Sequence, residues 1–259
     1  MIPAPPLNNI SLGPITIHFY GIIIALAITS CYFLATRLAK RKNISLSDFD
    51  SYIFTILPIS IIGARIYHVG TNWDYYKNNM TEIPAIWSGG LGMFGAIVAG
   101  IITLYILTKI KKQSFTAILD LIAVTVPLGQ AIGRWGNYFN QELFGKPTSL
   151  PWALYVDPEF RPQGLNAQTT YHPTFLYESL LNALNFAILY YAYTKKQLKA
   201  GSIVALYFIN YGIIRLLIES IKIDPDISAQ IGPLRVPQYI SLLLILAGIS
   251  TLLYLRRRK

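Results

Sequence analysis

Charge is what this 259-residue sequence has least of: Asp, Glu, Lys and Arg make up 13% of it, about half the usual share of a soluble globular domain. Cysteine is nearly absent too. Cys31 has no partner within the chain, so a disulfide-stapled secreted domain is excluded. The three histidines, His18, His68 and His172, have no compact His-x-x-x-His spacing, so no metal site is expected, and nothing suggests a nucleotide or organic cofactor. There is no low-complexity tract and no clear self-similarity between the halves, which argues against the inverted-repeat transporter plan. The opening Met-Ile-Pro-Ala-Pro-Pro lacks a basic leader region and a small-residue cleavage site, so the first apolar run is expected to stay as a signal anchor.

Apolar residues are abundant, at 53%, which excludes disorder, and the net charge is +10. A basic excess can signal nucleic acid, but these cations gather in short clusters between apolar runs of membrane-spanning length. The expectation is an all-α, polytopic integral membrane protein, a single domain over 1–259. Seven spans are expected, at about 17–34, 52–69, 91–107, 117–132, 174–193, 203–221 and 239–255. The fourth is short, and the third starts in a glycine-rich stretch that departs from regular helix. Arg37, Lys40, Arg41 and Lys42, then Lys109, Lys111 and Lys112, then Lys195, Lys196 and Lys199, then Arg256, Arg257, Arg258 and Lys259 follow alternate spans. By the positive-inside rule the N-terminus lies outside and the C-terminus in the cytoplasm.

Arg65, Arg134 and Arg215 fall inside or at the edge of expected spans. An arginine at a helix centre costs roughly 2.5–3.5 kcal/mol on insertion scales, so each needs a partner or a wet cavity. With this topology the polar residues collect in the outer half: Tyr20, Arg65, Gly89 to Gly92, Arg134, Asn137, His172, Tyr211, Arg215, Glu219 and Gln238. Several have plain structural readings. Arg65 can snorkel to the interface, Trp73 and Trp87 suit an aromatic belt, and Arg215 with Glu219 can be a self-neutralising i,i+4 pair. Asp120 and Glu178 are expected to bond or cap helices, and Cys31 to pack. The stretch from Asp74 to Trp87 suits the membrane surface. The outer segment at about 133–173 carries Gly-Arg-Trp-Gly-Asn-Tyr-Phe-Asn-Gln-Glu-Leu-Phe-Gly at 133–145. It reads as an anion clamp: Arg134 offers the guanidinium fork, Asn137 and Asn140 are orienting amides, and glycines up to Gly145 free the backbone for positive φ and exposed N–H groups.

At these residues the chain resembles the bacterial prolipoprotein diacylglyceryl transferase family. The likeness runs through His18-Phe19-Tyr20-Gly21, Gly63-Ala64-Arg65, Trp87-Ser88-Gly89-Gly90 and the 133–145 signature. It continues in His172-Pro173-Thr174, Tyr177-Glu178, Tyr211 to Arg215 with Glu219, and Gln238. The resemblance implies a multi-pass enzyme of the bacterial inner (plasma) membrane. Such an enzyme moves the diacylglyceryl group of phosphatidylglycerol onto the lipobox cysteine thiol of a preprolipoprotein signal peptide, forming a thioether and releasing glycerol phosphate. Nucleic acid is not an expected partner. The expected catalytic set is Arg134, Arg215, Glu142, His172 and Tyr20. The expected substrate-binding set is Arg134, Asn137, Asn140, Gly145, Arg65, Tyr211, Glu219 and His18. Arg134 and Arg215 would bind phosphate and leaving group, with Tyr211 and Glu219 holding Arg215. Glu142 and His172 lead His18 and Glu219 as candidate bases, because the signature loop and the entrance of the following helix can approach each other. One departure stands out: the family commonly has His or Tyr where this chain has Phe94, which neither donates nor accepts a proton. A small-molecule transporter and a lipid-binding relative without turnover remain open from sequence alone.

Overall fold

A computed structural model of the chain describes residues 1–13, 15–165, 167–223 and 230–257, so Arg258 and Lys259 of the last basic cluster lie outside the described residues. The long helices are α1 (Phe19–Arg41), α2 (Leu46–Thr71), α4 (Met93–Ile110), α5 (Phe115–Phe139), α6 (Thr174–Lys195), α7 (Ser202–Ile221) and α8 (Val236–Arg257), with a one-turn α3 (Trp73–Tyr76). Among the described residues six of them, all but α6 and α3, are long and apolar enough to cross a membrane. α6 has the length, but it buries Glu178, Asn182 and Asn185. The chain is thus a polytopic, mostly helical membrane protein. The fourth expected span is not short: α5 runs on through Arg134 and Asn137 to Phe139.

The chain divides into two compact units, Met1–Ala35 with Leu119–Lys259, and Thr36–Ile118. In the second, α2 and α4 pack so closely that a Cβ on Gly63 would lie 2.7 Å from the Gly95 carbonyl oxygen, and one on Gly100 would lie 2.9 Å from Ser60 Oγ. Small residues give membrane helices this approach, where no hydrophobic force draws them together. At the basic end of that pair Asp48 accepts from Lys111 Nζ at 2.7 Å and Gln113 Nε2 at 3.0 Å.

In the first unit α7 and α8 meet through Gly212 and Gly248, whose Cβ atoms would lie 2.7 Å from Ser241 O and 2.6 Å from Ala205 O. α5 meets α1 through Gly129, Gly133 and Gly136, spaced four and three residues apart on one face, whose nearest neighbours are Cys31, Ile24 and Tyr20. Cys31 Sγ donates to Thr125 O at 3.2 Å, the packing role expected of it. Asp120 accepts from the Gly201 and Val204 N–H groups at 2.7 and 2.9 Å. It therefore caps α7 from a neighbouring helix and satisfies amides that helix geometry leaves orphaned.

The opposite end of this unit carries a small cap. Strands β3 (Leu154–Tyr155) and β4 (Thr170–Tyr171) pair antiparallel, and Ile2 bridges to Leu154 in parallel. Phe144, Leu154, Val156, Tyr171 and Phe175 form its core. Tyr171, fully buried, donates its hydroxyl to Leu165 O and Gln168 O, and burial raises the pKa of its phenol. Two further hairpins, β1 (Asn9–Leu12) with β2 (Ile15–His18) and β5 (Gln230–Ile231) with β6 (Leu234–Arg235), lead into α1 and α8.

Candidate functional site

The signature is mostly helix, which corrects the reading of its glycines. Gly133 and Gly136 have no positive φ and serve helix contact, with the Tyr20 ring lying where a Cβ on Gly136 would be, at 2.6 Å. Positive φ appears instead at Gln141 (49°) and Leu143 (56°), on either side of Glu142. Such backbone costs non-glycine residues free energy and persists only where surroundings enforce it. Here Gln141 Nε2 donates to Asp157 Oδ2 at 2.6 Å, and Asp157 N–H donates back to Gln141 Oε1 at 2.8 Å.

From Glu142 a continuous line of seven side chains crosses the cap end of the bundle. Glu142 Oε1 accepts from Asn137 Nδ2 at 2.8 Å and Asn140 Nδ2 at 3.4 Å. Asn137 Oδ1 in turn accepts from Arg134 Nη1 at 3.3 Å. The Arg134 guanidinium is ion-paired with Glu178, whose other oxygen lies 3.4 Å from Arg215 Nη1. Arg215 Nη2 reaches Glu219 at 3.1 Å, and Glu219's second oxygen faces Arg235 Nη1 at 3.4 Å. Glu178 and Glu219 are buried. Each is shared by two guanidiniums, which is what makes a buried carboxylate tolerable.

Between Arg134 and Arg235 three partly exposed guanidiniums face these two buried carboxylates, a local positive excess suited to one phosphodiester monoanion, with the exposed Glu142 at the far end of the line. Glu219 holds Arg215 as the sequence suggests. Tyr211 does not hydrogen-bond to it; its ring stacks on Tyr207 at 5.5 Å. Glu178 is a correction of rank: expected as a plain interhelical bond or cap, it is the hinge of the line. Its signal was present, since a carboxylate in an expected membrane span needs a cationic partner. The sequence does not single out Arg235, because nothing local marks an arginine in the two-residue strand β6 as the partner of a glutamate sixteen residues earlier.

His172 belongs to the same unit, and the approach of loop and helix entrance is real: Gly145 N–H donates to His172 O at 2.9 Å, and His172 N–H to Lys146 O at 3.0 Å. A Cβ on Gly145 would lie 2.8 Å from His172 Cβ and from Ile221 O, so Gly145 serves close packing. The His172 ring contacts Tyr177 Oη through Nδ1 at 3.3 Å, and Tyr177 Oη accepts from Trp152 Nε1 at 2.8 Å. Tyr20 lies over the signature helix at Gly136. His18 is exposed at the end of β2, opposite Asn9. Among the described residues no three metal-ligating side chains gather.

Arg65, in the other unit, is buried and spends four of its five N–H donors on backbone carbonyls. It is 5% exposed. Nε donates to Ile83 O at 2.7 Å, Nη2 to Glu82 O at 2.5 Å, and Nη1 to Gly89 O and Gly90 O at 2.7 and 3.1 Å. Its guanidinium also lies 5.2 Å from the Tyr76 ring centre. The expected headgroup cation is thus an organiser of the 82–90 segment, because backbone carbonyls consume its fork. Phe94 is half exposed, 6.1 Å from the Tyr67 ring.

Comparison with known proteins agrees with this geometry. The family model described as prolipoprotein diacylglyceryl transferase matches residues 8–254. The chain is similar to proteins named phosphatidylglycerol–prolipoprotein diacylglyceryl transferase from three organisms. It is 42% identical to that of Finegoldia magna over 92% of this chain and 91% of the relative. It is 39% identical to that of Thermosynechococcus vestitus over 94% and 90%, and 40% identical to that of Trichormus variabilis over 99% and 92%.

Proposed function

The chain belongs to the prolipoprotein diacylglyceryl transferase family, and from that premise we propose how its line of arginines and glutamates performs the transfer. The protein is a membrane transferase that moves the diacylglyceryl group of phosphatidylglycerol to prolipoprotein. In this reading the whole chain is one transferase domain of the bacterial inner membrane. It has seven spans, α6 included, with the N-terminus and cap outside. The even alternation of basic clusters supports that orientation, and an exported signal peptide then meets outer-leaflet lipid at the cap end.

The acceptor is the lipobox cysteine thiol. A base takes its proton, and the thiolate attacks the diacylglycerol carbon that bears the phosphate ester. The carbon–sulfur bond forms, the carbon–oxygen bond breaks, and glycerol phosphate leaves with that electron pair. A second negative charge develops on the phosphate as the bond breaks. Arg134 and Arg215 stabilise that state more than the ground state. Asn137 orients Arg134, Glu142 orients Asn137, and Tyr20 and Asn140 flank the phosphate from the cap side. Glu142 Oε1 already accepts two amide bonds, so His172, held through Nδ1 by Tyr177, is the better proton acceptor. His172→Ala is expected to lower kcat by about 10²–10⁴ with little change in KM; an unchanged kcat would return the role to another group.

The observation that carries the reading is the positive excess where Arg134, Arg215 and Arg235 share the buried Glu178 and Glu219. Its test places the purified protein in phosphatidylglycerol vesicles with a synthetic lipobox peptide and follows the product by mass spectrometry. A diacylglyceryl adduct on the cysteine peptide and none on its Cys→Ser counterpart is expected. An adduct on both peptides would move the acceptor away from the thiol.

A further inference from the structure

Beneath the ionic line lies a second polar layer that the transfer chemistry leaves unused. Gln130 precedes Arg134 by four residues on α5, Asn182 follows Glu178 by four on α6, and Tyr211 precedes Arg215 by four on α7. Side chains four apart share a helix face, one turn, about 5.4 Å, from each other along the axis. Three helices therefore repeat one arrangement, charged toward the cap and neutral polar one turn deeper.

Each member of the deeper layer has a partner of its own. Gln130 Nε2 donates to Tyr207 Oη at 3.0 Å, and the Tyr207 ring stacks on Tyr211. Asn182 Nδ2 donates to Glu178 O at 2.8 Å, and Asn210 Nδ2 donates to Asn185 Oδ1 at 2.9 Å. Yet Gln130 Oε1, Asn182 Oδ1 and Asn185 Nδ2 have no protein partner. Asn182 and Asn185 are 1% and 2% exposed. A buried amide atom left unpaired costs about 1–3 kcal/mol, so three of them within two helical turns of the ionic line point to a ligand that pairs them.

The unpaired set is two acceptors and one donor, all uncharged. A hydroxylated neutral group matches it: two O–H donors meet the two amide oxygens, and a hydroxyl lone pair receives the amide N–H. An ammonium ligand has no free counter-charge here, because Glu178 is already shared by Arg134 and Arg215, and a carboxylate meets no cation among the amides and phenols of the layer itself. We propose that this layer recognises the hydroxyls of the donor's glycerol headgroup while the phosphate rests one turn above it on the arginines. The identity of the headgroup rests on the transferase reading. The consequence is donor selectivity: phospholipids whose headgroups lack hydroxyls leave the three amide atoms unpaired, and discrimination of that kind is strong.

The test uses the full-length protein in detergent and measures the affinities of glycerol phosphate and n-propyl phosphate, which differ in the two hydroxyls. The wild-type protein is expected to bind glycerol phosphate at least tenfold more tightly, and Asn182→Leu and Gln130→Leu each to bring that ratio toward one. The two variants stand on different helices, and each counts if its ligand-free melting temperature stays near that of the wild type. Equal affinities in the wild type, no measurable binding of either phosphate, or a ratio that survives both substitutions would overturn the proposal. The last outcome would leave the layer to ordered water. A second arm compares transfer from phosphatidylglycerol and phosphatidylpropanol, and the ratio of kcat/KM is expected to collapse in the same variants. Absence of transfer from either donor would remove the transfer mechanism, and the binding ratio would still decide the layer.

Discussion

Arg134 and Arg215 are held by planar, two-sided contacts, which makes arginine at these positions hard to replace. Each guanidinium touches two groups in different directions, Asn137 and Glu178 for Arg134, Glu178 and Glu219 for Arg215. A lysine keeps the charge but loses the fork. Arg134→Lys and Arg215→Lys are each expected to lower kcat about 10²–10³-fold while the protein still inserts, measured by adduct formation on the lipobox peptide. Near-full rates in both would remove the clamp from the mechanism. Phe94 is the other decisive residue. If a ring donor at that position assists proton transfer, Phe94→His or Phe94→Tyr raises the rate. An unchanged rate assigns the position to its contact with Tyr67.

At the scale of elements, glycines set how near the helices stand, and they are not equivalent. A Cβ at Gly136 would meet the Tyr20 ring at 2.6 Å, whereas at Gly133 the nearest atom, Ile24 Cδ1, is 3.8 Å away. Gly136→Ala must displace Tyr20 and is expected to cost about 1–3 kcal/mol. Gly133→Ala meets only ordinary contact and is expected to gain about 0.5–1 kcal/mol from helix propensity. Thermal melting in detergent checks both signs. Equal shifts for the two variants would mean that α1 does not stand against α5 at Tyr20. The sequence marked these glycines as special but assigned them to a loop. Its apolar run ended near residue 132, and the helix continues because Arg134 and Asn137 find partners on other elements.

At the scale of the whole molecule, the basic clusters predict an orientation, and the lone cysteine makes it measurable. In a Cys31→Ser background, Gln163→Cys in the cap is expected to react with a membrane-impermeant maleimide on intact cells. Lys196→Cys, at the opposite end, is expected to react only after permeabilisation. The reverse pattern would invert the topology. On the proposed orientation, the ionic line and the cap lie at the outer end of their unit, where an exported peptide would meet lipid.

The membrane class and nearly every helix were legible in the sequence. They depend on composition and on runs of a single element, and such local quantities add along the chain. The family resemblance was legible for the same reason, in short motifs read in order. Partnership was not legible. That Glu178 joins Arg134 to Arg215, that Glu219 passes on to Arg235, that Arg65 holds carbonyls of the 82–90 segment, and that Asp120 caps α7 were decided only by the tertiary structure. An ion pair or a cap depends on separations of a few ångströms between residues far apart in the chain. The packing of the helices fixes those distances, and no one segment encodes it.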